Sequence, residues 1–335
     1  QNEMAELHVL ARIPSTGVRS LIWEGDSLVD WVAGGSRFLL DGTIVPRSVS
    51  YSYRFDAACG SPSGKYAVIY ERLGTKGLLL REGKIVREID RSFYHAHVYE
   101  FPVCVGQLKS GREVLTHCPG AYNRIEIDDA ETGERLTTDE SREPRDFFQS
   151  RLSVHSNGNL LLSAGWIWHP FDAVNVYRLD DAVEDPKSLD GGGIVPDYPT
   201  EISSATISGD GCLATTTSDE CFDDDEYGED DLRPNCITVL SIESAKVISQ
   251  TELSEPAGTI MAVDSDIVVG FHEHPKLVEL TTGTVVGRMK DLNSGKQLSS
   301  IIHHLDPIAP LALDPAHRRF AIATKSEVVV VEVTV

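Results

Sequence analysis

Two histidine pairs, His95/His97 and His272/His274, have a spacing that could ligate a divalent metal. On an extended strand side chains alternate with period two, so residues i and i+2 point the same way. Two imidazole pairs facing each other across a gap could then share one ion. Against this, no spacing matches a known metal motif, and the adjacent His303 and His304 would diverge on a strand. Histidines at loop ends ordinarily hydrogen-bond to backbone, so no cofactor is expected, with a divalent metal as the secondary candidate. The second feature is the acidic stretch DECFDDDEYGEDDLRP at 219–234. Carboxylates attract calcium, and with Asp223 at the first EF-hand position, Asp225 and Gly228 fit the third and sixth. Tyr227 then occupies the fifth, and Pro234 stands where a bidentate Glu is required, so the EF-hand reading fails. The stretch reads instead as a solvated acidic hairpin, or as a docking site for a basic partner through Asp223, Asp224 and Asp225. The chain has no G-x-S-x-G elbow, no phosphate-cradling glycine loop and no H-E-x-x-H.

The elements that would hold these residues are strands. The polar turn SPSGKYAVIY at 61–70 recurs as LKSGREVLTH at 108–117, HSNGNLLLSA at 155–164 and SGDGCLATTT at 208–217. Its glycines, Gly64, Gly111, Gly158 and Gly211, are 47, 47 and 53 residues apart. That period, with a strand on each side of the turn, predicts radially arranged four-stranded sheets. Downstream hairpins such as LLLREGKIV at 78–86 and LVELTTGTVV at 277–286 supply third and fourth strands. Weaker copies at 23–31, 263–271 and 313–324 complete seven units: 18–50, 51–94, 95–144, 145–199, 200–255, 256–298 and 299–335. The last unit has only three strands, and ELHVLARI at 6–13 precedes the first. Pairing the two closes the ring and hides the valine-rich edge EVVVVEVTV. The best helical candidate, DDAVEDPKSL at 180–189, is interrupted by Pro186.

Composition narrows the partners. The net charge of −22 repels nucleic acid and anionic membrane. No apolar run approaches the roughly 18 residues needed to span a bilayer. The start, QNEMAELHVLARI, lacks the basic and apolar regions of a secretory signal. None of the six cysteines forms a C-x-x-C pair, which fits a reducing cytoplasm.

The layout resembles the WD-repeat-like seven-bladed β-propellers, including closure by an N-terminal strand, over essentially the whole chain. The motifs are degenerate: no Trp-Asp ends a third strand and no Gly-His opens a blade. Phrases such as SAGWIWHPF at 163–171 and DAETGERL at 129–136 are similar to those of uncharacterised bacterial propellers. The resemblance implies a fold and, loosely, a scaffold, with no catalytic residue to carry over. In such a propeller one face collects the loops between second and third strands and those between blades. That face receives Tyr94, His95, His97, Tyr99, Tyr122, Trp166, Trp168, His169 and Phe171, bordered by the acidic stretch. Long aromatic loops on a rigid scaffold are the usual place for binding, although Trp166 and Trp168 alternate so that one should pack between blades. First strands such as VCVGQL and SATISG offer no ring of Asn and Glu; Arg151, Glu100, Glu201 and Asp306 are isolated charges near blade entrances. The expectation is a non-catalytic, cytoplasmic protein-interaction scaffold for a partner with a basic surface. The alternative is a hydrolase-like enzyme or small-ligand binder at the channel mouth.

Overall fold

The repeated polar turns close hairpins because their glycines supply a backbone conformation that side chains resist. Gly64, Gly111 and Gly211 have φ of 74°, 90° and 78°. Each donates its N–H to the carbonyl three residues earlier, on Ser61, Leu108 and Ser208, at 2.9–3.1 Å. The computed structural model describes residues 4–47, 49–155, 159–222, 226–304 and 308–335. Gly158, Asp223, Asp224, Asp225 and Asp306 lie outside the described residues.

Seven antiparallel sheets follow one another along the chain. Strand β1 (Glu6–Pro14) precedes blade one, which holds β2 (Ile22–Glu24), β3 (Ser27–Asp30), β4 (Ser36–Leu39) and β5 (Ile44–Val45). Blade two holds β6 (Ala57–Gly60), β7 (Tyr66–Tyr70), β8 (Lys76–Arg81) and β9 (Lys84–Asp90). Blade three holds β10 (Val103–Gln107), β11 (Glu113–His117) and β12 (Glu126–Asp129). Blade four holds β13 (Leu152–His155), β14 (Leu160–Ile167) and β15 (Phe171–Arg178), followed by helix α1 (Leu179–Glu184) and a 3₁₀ turn (Pro186–Leu189). Blade five holds β16 (Thr200–Ile207), β17 (Cys212–Cys221), β18 (Cys236–Ser241) and β19 (Val247–Glu252). Blade six holds β20 (Ile260–Ala262), β21 (Ile267–Gly270), β22 (Lys276–Glu279) and β23 (Val285–Arg288). Blade seven holds β24 (Leu311–Asp314), β25 (Arg319–Ala323) and β26 (Glu327–Thr334), with β1 as its outer strand.

The buried apolar residues lie between neighbouring sheets, which makes the ring a cycle of wedged interfaces. Ile22 and Val29 pack with Ile69 and Leu80 between blades one and two, and Leu79 with Val105 and Leu115 between two and three. Ile127 meets Leu161 and Tyr177, Val176 meets Leu213 and Leu240, and Ile237 meets Val268 and Val278. Val269 packs with Phe320 and Val329, and Leu28 with Ala321 and Val330 closes the cycle between blades seven and one. Burial of each such aliphatic side chain contributes roughly 1.5–3 kcal/mol.

Closure follows the expected pairing. β1 runs antiparallel to β26 from Glu6 opposite Thr334 to Pro14 opposite Glu327. Val328 through Val331 are completely buried. Arg12 bridges Glu327 (2.6 Å) and Asp291 (3.0 Å), tying β1 to the side of blade six. Across the same junction the Arg319 guanidinium lies 4.1 Å from the Trp23 ring centre and donates to Asp26 and to the Gly25 carbonyl.

Two blades differ from the four-stranded expectation. In blade three the chain returns only as an isolated bridge between Asp128 and Arg135. It then leaves the sheet to bring the fully buried Arg142 side chain between Glu126 and Asp190. A charge buried there is tolerated because both carboxylates and the Ile125 carbonyl satisfy it. In blade four, residues 179–189 become helical where a fourth strand would run. Leu179, Ala182 and Leu189 enter the core between blades three and four, and Pro186 opens a new turn, where its missing N–H is not needed. Cys59, Cys104, Cys118, Cys212 and Cys236 are free thiols.

Two outcomes follow from this architecture. Deleting residues 1–14 uncovers the β26 edge. A loss of about 3–5 kcal/mol lowers Tm by roughly 5 °C, because an unfolding entropy of about 2.1 cal/mol/K per residue makes each kcal/mol worth about 1.4 °C in a chain of 335 residues, and light scattering should detect aggregation. The second concerns Glu255, between blades five and six, which accepts from Arg288 (3.0 and 3.1 Å) and from the buried Lys276 (2.6 Å). The Arg288 hydrogen bonds, outweighing the effect of burial and aided by Lys276, lower its pKa to about 2. A depressed carboxyl pKa contributes stability above the unfolded value near 4.5 and loses it as pH falls toward about 2. Glu255→Gln should therefore cost on the order of 1–2 kcal/mol at pH 7 and almost nothing at pH 2, read from denaturant midpoints at the two pH values.

Candidate interaction site

The aromatic residues singled out from sequence come together, but at two depths. Trp166 sits at the end of β14, where its backbone exchanges hydrogen bonds with Phe148 (2.8 and 3.1 Å). Gly165 permits this approach, since a Cβ there would lie 1.9 Å from the Phe148 carbonyl oxygen. The rings continue the contact: Phe148 stacks on Trp166 at 3.8 Å between centroids and on Tyr122 at 4.3 Å. Tyr99 meets both Phe148 and Trp166 edge-on. Trp166, Tyr99 and Phe148 are each about 1% exposed, so they form a foundation rather than a contact surface.

Above them lie Tyr94 (52% exposed) and Trp168 (50%). Tyr94 stacks over Phe148 at 5.7 Å, His95 packs against Trp168 at 4.9 Å, and Trp168 lies 5.9 Å from Trp166. Phe93, next in sequence to Tyr94, is 84% exposed. The Tyr122 hydroxyl donates to Asp146 at 2.7 Å; burial, reinforced by that carboxylate, pushes its pKa up to about 12. His169 occupies the hairpin tip between β14 and β15 with φ of 90°. Phe171 stands apart: buried, it stacks at 4.1 Å on Phe222 beside the acidic stretch. Tyr99, Trp166 and Phe171 thus depart from their expected role as contact residues, because neighbouring rings cover them.

The histidine pairs are not on extended strands. His95 and His97 occupy a turn at 94–98 in which His95 has φ of 54°. His272 and His274 flank Glu273 (φ 65°), with the His274 N–H donating to the His272 carbonyl. The period-two argument therefore fails for both pairs. His274 meets Arg288 at 3.2 Å, and burial lowers the pKa of both His272 and His274. No group of three or more metal-ligating side chains converges among the described residues. His117 is buried against Asp128 at 2.8 Å.

Two devices that set the site were not recognised from sequence. Arg91 is buried without a carboxylate: it donates to the carbonyls of Arg72, Gly74, Ala96 and Tyr99 and lies 4.8 Å from the Tyr99 ring centre. It thereby clamps the turn that presents Tyr94 and His95. The other is a strap. Ser294 and Gly295 hydrogen-bond to Glu273 of blade six. A few residues on, Glu100 N–H donates to the Ser300 carbonyl and Ile302 N–H to the Val98 carbonyl. Ser300 Oγ donates to Asp172 at 2.6 Å in blade four. Blades six and four are not neighbours, so a segment bonded to both passes over the channel mouth. Phe148 was also missed; its only sequence signal is the Phe147-Phe148 doublet before β13.

Beneath the strap, Glu201 accepts from the Asp172 N–H (2.9 Å) and Ser218 (2.8 Å). Burial raises the Asp172 carboxyl pKa despite Arg151 and the strap serines. Burial likewise raises that of Glu201, with Asp172 adding to it. Arg151, with φ of 45°, donates to the carbonyls of Ala164 and Ser203. Glu100 pairs with Arg72 at 3.2 Å and accepts from Gln297 of the strap at 3.1 Å.

No protein-family model matches the chain, and no curated protein matches it. No helix among the described residues is long and apolar enough to cross a membrane.

Phe148→Ala tests the foundation. Emptying the centre of the stack should cost about 3–5 kcal/mol in denaturant unfolding and red-shift tryptophan emission as water reaches Trp166.

Proposed function

We propose that this propeller is a non-catalytic protein-interaction scaffold whose contact surface is the raised aromatic platform. The observation that carries the reading is the vertical order of rings: exposed Tyr94 and Trp168 over buried Phe148, Trp166 and Tyr99. Exposed aromatics held from below lose little rotamer freedom on binding, the property that makes Trp and Tyr dominant contact residues. His95, His97 and His169 stand around the platform; His95 and His169 have left-handed backbone, a strain that clusters where a surface is held for use. The net charge of −22 favours a partner with a basic surface, drawn in by long-range attraction and discouraged from nucleic acid or membrane. Asp223, Asp224 and Asp225 would contribute to that field. The WD-repeat-like character and the cytoplasmic location belong to the same reading, supported by the blade repeat and the free cysteines.

One observation favours the alternative of an enzyme or small-ligand binder at the channel mouth. Asp172 and Glu201 are adjacent buried carboxyls with raised pKa, a frequent mark of functional sites. The strap, however, covers that pair, and Ser300 already occupies Asp172.

Trp168→Ala and Tyr94→Ala should leave stability within about 0.5 kcal/mol of wild type, because both side chains are exposed. Recovery of co-purifying protein from matched extracts should fall at least about tenfold, the effect of losing about 1.4 kcal/mol of binding. Equal recovery by wild type and both variants would remove the platform from the interface.

A further inference from the structure

A cleft of about 280 Å³ lies where β15, the connection at 196–198 and β16 meet, with Phe222 beside it just past the end of β17. It is slightly smaller than the usual lower bound for ligand sites, about 300 Å³, so its occupant is small. Phe171, Val174 and Ile202 form a buried apolar wall. Phe222 stacks on Phe171 at 4.1 Å yet stays 58% exposed, so the ring pair keeps aromatic surface uncovered.

Charge around the cleft is one-sided. Arg145 is the one cation among the lining residues, and its donors are already engaged. Its Nη1 donates to both oxygens of Asp197 at 2.9 Å, and its Nη2 to the Asn175 side-chain oxygen at 2.7 Å. Asp146, also in the lining, accepts from the Tyr122 hydroxyl. Asp230 and Asp231 accept backbone N–H groups, from Val247 at 2.8 Å and Gly228 at 2.6 Å, and both act on the lining Tyr198. Among the described residues the Arg145–Asp197 contact is the one ion pair at the cleft, which leaves Asp146, Asp230 and Asp231 without a cation. The cleft also holds an unsatisfied polar atom: the Tyr198 hydroxyl oxygen is buried and meets no partner. Burial, with Asp230 and Asp231 adding to it, pushes its pKa up to about 12, so it is protonated at neutral pH. An unpaired buried hydroxyl is destabilising, and a bound hydrogen-bonding group would remove that cost.

Apolar walls, uncovered aromatic surface, an unsatisfied hydroxyl and excess negative charge fit one ligand chemistry. Aromatic faces attract cations through the ring quadrupole, and the carboxylates set the sign. We propose that the cleft binds an organic cation, an alkylammonium or alkylguanidinium head on a short apolar stem. The stem occupies the wall of Phe171, Val174 and Ile202. The head donates to the Tyr198 hydroxyl, and Asp146, Asp230 and Asp231 supply the neutralising charge. Such a cation is either a free amine or a Lys or Arg side chain on a partner protein, and the site does not depend on the aromatic platform.

The probes are n-butylammonium and n-butylguanidinium chlorides, added to the full chain and followed by ligand-detected NMR. Pentan-1-ol is the uncharged control and butyrate the anionic one. The cations should bind saturably and at least about tenfold more tightly than pentan-1-ol, and their affinity should fall with added salt. Phe222→Leu keeps an apolar side chain but removes the ring; Tyr198→Phe removes only the hydroxyl. Each should leave the melting temperature unchanged and weaken cation binding about fivefold. The proposal is overturned if neither cation binds, or if pentan-1-ol binds as tightly, which would make the cleft merely apolar. It also fails if butyrate binds better, which would give the charge preference to Arg145, or if neither substitution weakens binding. Cation binding lost in Trp168→Ala but kept in Phe222→Leu and Tyr198→Phe would place the cation on the aromatic platform and reject the cleft. The N-acetyl methylamides of lysine and arginine separate the two sources. Affinity equal to that of the free cations assigns the cleft to a side chain on a partner, and loss of binding assigns it to a free amine.

Discussion

The pairing of β1 with β26 is the contact on which every other feature depends. A ring of sheets has stable interfaces only if each blade is wedged between two neighbours, and the apolar groups here lie between neighbouring sheets all the way round. Without β1, Val328 to Val331 would keep their packing on both faces but lose the backbone partners along one edge. The ladder therefore joins the two ends of the chain at the point where a linear array would otherwise open. Arg12 and Arg319 reinforce the seam on either side, toward blades six and one.

Once the ring is closed, segments far apart in sequence face one another across its axis, and the strap exploits this. Ser300, Ile301 and Ile302 belong to the connection into blade seven, yet their partners are Val98, Tyr99, Glu100 and Asp172. The strap thus supports the aromatic stack from the channel side, while Arg91 holds the turn bearing Tyr94 and His95 from within blade two. A guanidinium bonded only to carbonyls is an unusual way to fix a loop. It works because five donors in a rigid fork can satisfy several carbonyls that would otherwise be buried and unpaired.

The missing outer strands of blades three and four have different causes. In blade three, Arg142 needs Glu126 and Asp190 together, and satisfying a buried charge outweighs continuing a strand on the sheet edge. In blade four, Leu179, Ala182 and Leu189 place apolar groups at helical spacing, and the core between blades three and four takes them. The consequence is that the sheets of blades three and four end at their third strands, while the other five have four.

The seven-blade order, the turns at Gly64, Gly111 and Gly211, and closure by the first strand were legible because each rests on local chemistry. Turns need glycine at positive φ, strands need alternating or continuous apolar residues, and a valine-rich edge needs a partner. The aromatic cluster was legible as a set of residues on one face but not as a stack. Depth depends on which ring lies beneath which, and Phe148, Gly165 and Arg91 settle that through contacts spanning up to dozens of residues. The histidine pairs failed for the same reason: period-two logic presumes an extended backbone, and tertiary packing bends both segments into turns. The sequence by itself determined the strands, their grouping into blades and the acidity of the surface. Only the tertiary structure decided which aromatics are exposed, what crosses the channel and which blades stop at three strands, because burial and pairing are properties of neighbours that the chain brings together only when the ring closes.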